Sequence, residues 1–216
     1  MNLQLHTFYR SSAAFRVRIA LHYKNLAFEA IPVNLKGQPG DQFSSDFLLK
    51  NPAGMVPVLN TGHVHLHQSM AILEYLEEVY PEPALLPQDP IARAQVRALC
   101  HDMASDVHPL TNLRVLRYLK RELQVSANGL DTWYAHWHHL ALAAYEQRLT
   151  DCAGQYSFAD EISLADVCLV PQVRNAIAAQ IPLERYPQIM RIYDKLMQNA
   201  AFKAASWEAQ KDYVGA

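Results

Sequence analysis

Two adjacent serines, Ser11 and Ser12, are the residues near the amino terminus whose type and position best suit chemistry. They follow a predicted strand and precede a predicted helix, where a helix cap is expected. A serine oxygen there accepts a hydrogen bond from an unpaired N–H group of the first helical turn. The same turn offers free N–H groups and the positive end of the helix dipole to an anion. The sequence therefore predicts an anion site at this turn, and the alternative is that the serines serve only as caps.

Two groups of histidines have the residue type that a metal site needs. His63, His65 and His67 alternate along a predicted strand and so share one face, and a second group lies at 136–139 on a predicted helix. Protein metal sites usually combine histidine with cysteine or carboxylate ligands. Neither group has such a companion close by in the sequence, so we expect no metal ion.

The composition is that of an ordinary globular protein. Of its 216 residues half are hydrophobic and 19% are charged, and the net charge is −2. No basic run is interleaved with aromatic residues, so nucleic acid is not an expected partner. No apolar run approaches the roughly 18 residues of a membrane span, and the first residues lack a signal-peptide pattern. Cys100, Cys152 and Cys168 are an odd, widely spaced set, which favours reduced thiols and a cytoplasmic protein.

The first 80 residues alternate between strand and helix patterns. Predicted strands cover 3–7, 28–34 and two arms of a hairpin within 55–67, and predicted helices cover 12–24, 42–50 and 70–79. Pro32 indicates an edge strand, because proline has no N–H group to donate to a neighbouring strand. Ser69 is the expected N-cap of the last helix. The order βαβαββα predicts a compact α/β domain over residues 1–80.

The remainder of the chain predicts a second, all-helical domain. Residues 81–90 contain four prolines and no periodicity, which indicates a linker between the domains. Residues 91–216 show helical patterns and little strand pattern. Pro109 interrupts the first long run and predicts a kink near His108. Further along, Ser163 and Asp166 have the spacing of a capping box at a helix start.

A βαβαββα domain resembles the thioredoxin fold. In redox members of that fold the turn before the first helix carries Cys-x-x-Cys, because a helix start stabilises a thiolate. Here the turn reads Ser11-Ser12-Ala13-Ala14, so disulfide chemistry at this turn is excluded. If the turn stabilises a thiolate, the sulfur has to come from a ligand.

Short motifs are spaced along almost the entire chain. They are Arg10-Ser11-Ser12, Arg16-Val17-Arg18-Ile19-Ala20-Leu21, Asn51-Pro52, Val56-Pro57, His67-Gln68-Ser69, Ile72-Leu73-Glu74-Tyr75-Leu76-Glu77-Glu78, Leu85-Leu86-Pro87-Gln88-Asp89-Pro90 and Leu164-Ala165-Asp166. At these intervals they resemble the zeta class of glutathione transferases, which includes maleylacetoacetate and maleylpyruvate isomerases. The resemblance implies the glutathione transferase fold, glutathione as ligand and a homodimer.

The resemblance also implies roles for individual residues. Ser11 would hydrogen-bond the glutathione sulfur, and Ser12 would add a further donor. Val56 would pair through its backbone with the cysteinyl part of glutathione, beside a cis Pro57. Gln68 and Ser69 would hold the γ-glutamyl end. The other family positions lining the glutathione or substrate cleft are Gln42, His108, Asn112, Leu113 and Arg114.

The activity implied by the resemblance is a cis–trans isomerisation of a maleyl dicarboxylate that uses glutathione without consuming it. The thiolate adds to the conjugated cis double bond, the resulting single bond rotates, and elimination returns the thiolate and the fumaryl product. The substrate carboxylates need cations, and arginine binds both oxygens of a carboxylate through its planar fork. The candidates are Arg10, Arg114 and Arg174.

Two positions depart from the zeta pattern. Ala13 stands where the class has a cysteine, and Ala178 stands where it has a substrate-side arginine, one turn beyond Arg174. Three alternatives therefore stay open beside the isomerase. They are a glutathione transferase acting on small α-halo acids, one conjugating general electrophiles, and a non-catalytic interaction module with the same fold.

Overall fold

The computed structural model describes residues 3–215, which form two compact units. The first unit runs to Ala84 and also includes the segment from Met197 onwards, and the second spans Leu85–Leu196. The division at Ala84 falls inside the proline-rich stretch at 81–90 where the sequence predicted a linker.

The sheet of the first unit has four strands in the order β2-β1-β3-β4. The strands are β1 (Leu3–Thr7), β2 (Phe28–Pro32), β3 (Val58–Asn60) and β4 (His65–His67). β1 is parallel to β2 and antiparallel to β3, and β3 and β4 form the predicted hairpin. The expectation that Pro32 lies on an edge strand is confirmed, because β2 pairs only with β1 among the described strands.

Three helices follow the strands of this unit in the predicted order. They are α1 (Ser12–Tyr23), α2 (Ser45–Leu48) and α3 (Ser69–Val79), and a 3-10 turn (Asp41–Phe43) precedes α2. α1 and α3 pack against each other. A buried ion pair links the C-cap residue of α1 to α3, since the Lys24 ammonium lies 2.5 Å from the Glu77 carboxylate. The predicted α/β fold class is therefore confirmed for this unit.

The second unit contains only helices among its regular elements. They are α4 (Pro90–His101), α5 (His108–Thr111), α6 (Leu113–Arg121), α7 (Ala127–Cys152), α8 (Leu164–Ala178) and α9 (Pro187–Leu196). A π-helical segment (Asp102–Val107) separates α4 from α5, next to Pro109, where the sequence predicted a kink. Gln172, fully buried on α8, donates a 3.0 Å hydrogen bond to the Met103 carbonyl in that segment. The predicted capping box is present, and Asp166 accepts the Ser163 amide at 2.8 Å.

The segment from Met197 onwards contains the last helix, α10 (Ala200–Ala205), which packs on α1. The sequence prediction grouped this segment with the helical domain, whereas the structure places it in the first unit. A helical pattern reports which face of a helix is apolar and carries no information about the domain that covers it.

No helix within residues 3–215 combines the length and the apolar character needed to cross a membrane. All three cysteines are free thiols.

Candidate active site

Ser11 is the N-cap of α1, as predicted, and it is half-buried. Its Oγ accepts a 3.2 Å hydrogen bond from the Ala14 amide, and its own amide donates to the Phe8 carbonyl at 2.9 Å. A serine hydroxyl has one proton to donate besides its lone pairs. Because Oγ is the acceptor in the cap, that proton remains for a ligand. Capping and ligand binding are therefore compatible at this serine.

Two further groups lie at the start of α1. Ser12, the first helical residue, is only 4% exposed. The Ala13 amide makes no hydrogen bond within residues 3–215. Free amides at a helix start favour an anion.

The backbone before Ser11 is held by two side chains. The Tyr9 amide donates to Asp212 at 3.0 Å. The buried Arg18 guanidinium donates to the carbonyls of Phe8 and Tyr9 at 3.2 and 3.1 Å, and also to that of Ala205 at 3.0 Å. Burial lowers the pKa of Arg18 to about 9, while Asp212 acts in the opposite direction, so the side chain stays charged near neutral pH.

Arg10, the predicted substrate arginine beside this turn, is exposed. The central carbon of its guanidinium lies 5.3 Å from the centre of the Trp207 ring, within the range of a cation–π contact. Trp207 itself is 2% exposed and follows α10. A residue of the carboxyl-terminal segment thus sets the position of Arg10.

The peptide bond between Val56 and Pro57 is cis, as the family resemblance implied. Val56 lies just before β3, and neither its amide nor its carbonyl makes a hydrogen bond within residues 3–215. A backbone with free donor and acceptor can pair with an extended peptide as an added strand would.

The prediction that Ser69 caps α3 is wrong. Gln68 occupies the N-cap position, with a positive φ of 67° and no side-chain cap bond, and Ser69 is the first helical residue. Ser69 Oγ instead accepts a 3.2 Å hydrogen bond from Nη1 of Arg16. The Gln68 side chain therefore does not cap the first turn of α3. Gln68 is exposed and Ser69 is 6% exposed.

Gln42 lies in the interior of the first unit on the 3-10 turn, and it is only 4% exposed. Its Oε1 is buried with no hydrogen-bond partner in the described part of the chain. A Cβ built on Gly40 would come within 2.2 Å of Oε1, so a larger residue there would displace the Gln42 side chain.

The remaining predicted residues belong to the second unit. His108 and Asn112 are half-buried around the end of α5, and Leu113 and Arg114 are exposed at the start of α6. Asn112 caps α6, since its Oδ1 accepts the Arg114 amide at 2.7 Å. The same unit carries the predicted substrate residue of α8, Arg174, which is half-buried. Ala178, the last residue of that helix, is exposed.

No group of three or more metal-ligating side chains suited to an ion occurs among residues 3–215. The histidines of β4 are exposed on an edge strand, and His138 is fully buried in α7.

Comparison with known proteins gives the family. A profile of the glutathione S-transferase N-terminal domain matches residues 5–84. A probable maleylacetoacetate isomerase of Vibrio cholerae is 43% identical, covering 98% of this chain and 99% of its own. The holo structure of a maleylpyruvate isomerase, described as a bacterial zeta-class glutathione S-transferase, is 38% identical with a TM-score of 0.94, covering 98% of this chain and 100% of its own.

A third relative was solved with a ligand. The maleylacetoacetate isomerase of Anaeromyxobacter dehalogenans, with dicarboxyethyl glutathione and citrate in its active site, is 40% identical with a TM-score of 0.87, and the match covers 99% of this chain and 98% of that one. The chain therefore belongs to the glutathione S-transferase family, and to its zeta class. The two matched proteins of known structure described above are both named as maleyl isomerases.

Proposed function

We propose that this protein catalyses the glutathione-dependent cis–trans isomerisation of a maleyl dicarboxylate such as maleylacetoacetate or maleylpyruvate. The observation that carries the proposal is the free hydroxyl proton of Ser11, which is left for a ligand at the start of α1. The chain also belongs to the zeta class. Glutathione supplies a thiolate that adds reversibly to the cis double bond and so permits rotation. Residues of the chain bind glutathione, stabilise its thiolate and hold the substrate carboxylates.

The residues present fit glutathione. Ser11 and the Ala13 amide donate toward the sulfur, beside Ser12. Val56 offers a free backbone amide and carbonyl to the cysteinyl part. Gln68 and Ser69 receive the γ-glutamyl end at the start of α3. We assign the cleft-lining positions of the second unit to the same ligand and its substrate; they are His108, Asn112, Leu113 and Arg114.

The energetics assign the main role at the sulfur to hydroxyl donation. A helix start stabilises a nearby anion by about 0.3–1 kcal/mol, which lowers a thiol pKa by less than about one unit. A hydrogen bond to a charged group contributes about 1.5–3 kcal/mol. Ser11 therefore contributes more to thiolate formation than the dipole of α1.

Three arginines hold the substrate carboxylates in this proposal: Arg10, Arg114 and Arg174. Arg10 lies next to Ser11 in the chain and is held against Trp207. The dicarboxyethyl glutathione bound by the relative from Anaeromyxobacter dehalogenans carries two carboxylates on the group attached to sulfur. A substrate with the same arrangement needs cations close to the thiol turn.

We also propose that the protein works as a homodimer in the cytoplasm. Two large apolar side chains of the first unit, Leu49 and Phe43, are 86% and 52% exposed, and burying them against a second copy would remove apolar surface from water. The free thiols suit a reducing compartment. Sedimentation equilibrium tests the oligomeric state, and a monomer at micromolar concentration would contradict it.

The activity is tested by following the absorbance of maleylacetoacetate and of maleylpyruvate with glutathione far below the substrate concentration. The expected result is complete conversion to the fumaryl acid with glutathione recovered unchanged. Stoichiometric loss of glutathione would instead identify a conjugating or dehalogenating transferase. Failure to bind glutathione at all would identify an interaction module.

A matched pair of cap variants separates chemistry from folding. Ser11→Ala and Ser126→Ala each remove a serine that accepts a first-turn amide, at the start of α1 and α7 respectively. Each should cost about 1 kcal/mol of stability. Only Ser11→Ala should lower turnover, and full turnover in that variant would contradict the assignment.

A further inference from the structure

Arg16 is a charged side chain placed almost entirely inside the first unit. It lies in the second turn of α1 and is 1% exposed. Its Nη1 donates a 3.2 Å hydrogen bond to Ser69 Oγ, at the first residue of α3. The bond thus links the helix that begins at Ser11 to the helix that begins at Ser69.

The bond fixes the direction of the Ser69 hydroxyl. A guanidinium has only donors and keeps its charge, so Ser69 Oγ has to be the acceptor. The hydroxyl proton of Ser69 is then left to donate to another group.

Arg18, on the same helix and equally buried, has a different set of partners. Its guanidinium donates to the carbonyls of Phe8, Tyr9 and Ala205 and to the Thr7 hydroxyl. Three of those four bonds hold backbone carbonyl groups. Arg16, by contrast, contacts the side chain that the proposed function assigns to the γ-glutamyl end of glutathione.

We propose that Arg16 is a positioning residue for the α-carboxylate of the γ-glutamyl group, acting through Ser69. It directs the Ser69 proton toward the carboxylate and places a positive charge behind that hydroxyl. A buried charge acts strongly on a nearby anion because little water screens it. The inference rests on the proposed glutathione site and adds the residue that organises one end of it.

The test compares two ligands by isothermal titration calorimetry. One is glutathione, and the other is 4-aminobutyryl-cysteinyl-glycine, which is glutathione without that α-carboxylate. The wild-type protein should bind glutathione at least tenfold more tightly. In Arg16→Met the preference should fall severalfold, while the affinity for the analogue stays within about twofold. The exposed Arg121, at the end of α6, provides the control: Arg121→Met should change neither affinity.

A double variant tests whether Arg16 acts through Ser69. Ser69→Ala should reduce the same preference, and Arg16→Met combined with Ser69→Ala should reduce it no further. In kinetics the KM for glutathione should rise in Arg16→Met while kcat at saturating glutathione is kept. An unchanged preference for glutathione over the analogue, or an equal fall in the affinity for both ligands, would overturn the inference.

A measurement on the wild-type protein covers the case in which Arg16→Met does not fold. The guanidinium ¹⁵N resonances of Arg16 should shift on titration with glutathione and stay in place with the analogue. Equal shifts with both ligands would overturn the inference. Absence of glutathione binding by the wild-type protein would instead refute the proposed function, so the two failures are distinguishable.

Discussion

The Asp212 carboxylate accepts a 3.0 Å hydrogen bond from the backbone amide of Tyr9, immediately before Arg10 and Ser11. The two residues lie near opposite ends of the chain, yet both belong to the first unit. The bond satisfies an amide that would otherwise be unpaired where β1 leads into the turn. The position of the proposed thiol activator therefore depends on the carboxyl-terminal segment.

Asp212→Ala should weaken both stability and thiol activation. An unsatisfied amide costs about 1–3 kcal/mol of unfolding free energy, and a looser turn should raise the pKa of the bound glutathione thiol. Chemical denaturation measures the first effect, and thiolate absorbance against pH measures the second. Asp212→Asn keeps an acceptor oxygen and should restore most of the stability. The exposed neighbour gives the control, Lys211→Ala, which should match the wild-type protein.

Ser11→Asp should separate the cap from the chemistry. Aspartate caps a helix about as well as serine, so stability should change by less than about 0.5 kcal/mol. Its carboxylate repels a thiolate and has no proton to donate near neutral pH, so kcat/KM should fall by about 100-fold or more. Ser126→Asp, at the cap of α7, should leave kcat/KM unchanged. A Ser11→Asp enzyme with normal turnover would contradict the role of the hydroxyl.

Arg174→Met should weaken binding of the maleyl substrate and leave the affinity for glutathione unchanged. Loss of a charge-assisted bond to carboxylate predicts a roughly tenfold to hundredfold fall in kcat/KM for the substrate. Ala178 is one turn further along α8 and is exposed, so Ala178→Arg fits the helix. Adding Ala178→Arg to Arg174→Met should recover much of the loss. No loss in the single variant would remove Arg174 from the substrate site.

His138 should make the folded protein less stable in acid. It is fully buried on α7, its Nδ1 lies 2.9 Å from the Tyr134 carbonyl oxygen, and burial lowers its pKa from 6.5 to about 4. Since the folded pKa lies below the unfolded one, the stability is fully present above about pH 6.5 and is lost as the pH falls toward 4. The difference corresponds to about 3 kcal/mol.

Urea denaturation at pH 7.5 and pH 5 measures the unfolding free energy and so tests the prediction for His138. The stability of His138→Phe should vary less between the two pH values than that of the wild-type protein. His136 is exposed on the same helix, so His136→Gln should keep the wild-type dependence. An equal change in unfolding free energy between the two pH values for all three proteins would show that His138 does not titrate in this way.

Local features of the fold were predictable from the sequence because their causes are local. The cap at Ser11 and the pairing of Ser163 with Asp166 depend on residues a few positions apart, and the edge position of β2 was indicated by the missing N–H group of Pro32 alone. The π-helical segment before α5 was missed, since it depends on packing and on the buried Gln172 bond to Met103.

The supports of the site could not be predicted, because they are contacts between distant parts of the chain. Nothing in the pattern of α1 distinguishes Arg16, which contacts Ser69, from Arg18, which holds backbone carbonyls. Two charged residues on a mostly apolar helix were the available signal. The prediction that Ser69 caps α3 failed for the same reason. The local sequence does not show that the Ser69 oxygen accepts a hydrogen bond from Arg16, which is distant in the chain. Trp207 and Asp212 gave no signal at all.

The packing of α10 on α1 has a consequence for how the protein is made. The first unit cannot close over α1 until the segment from Met197 onwards has left the ribosome, after the whole second unit has been synthesised. During translation the first unit, which binds glutathione, therefore cannot complete its fold before the segment from Met197 onwards is made. The second unit is contiguous in the chain and can fold earlier. A fragment ending before Met197 would lack Trp207 and Asp212, which contact Arg10 and Tyr9 beside Ser11.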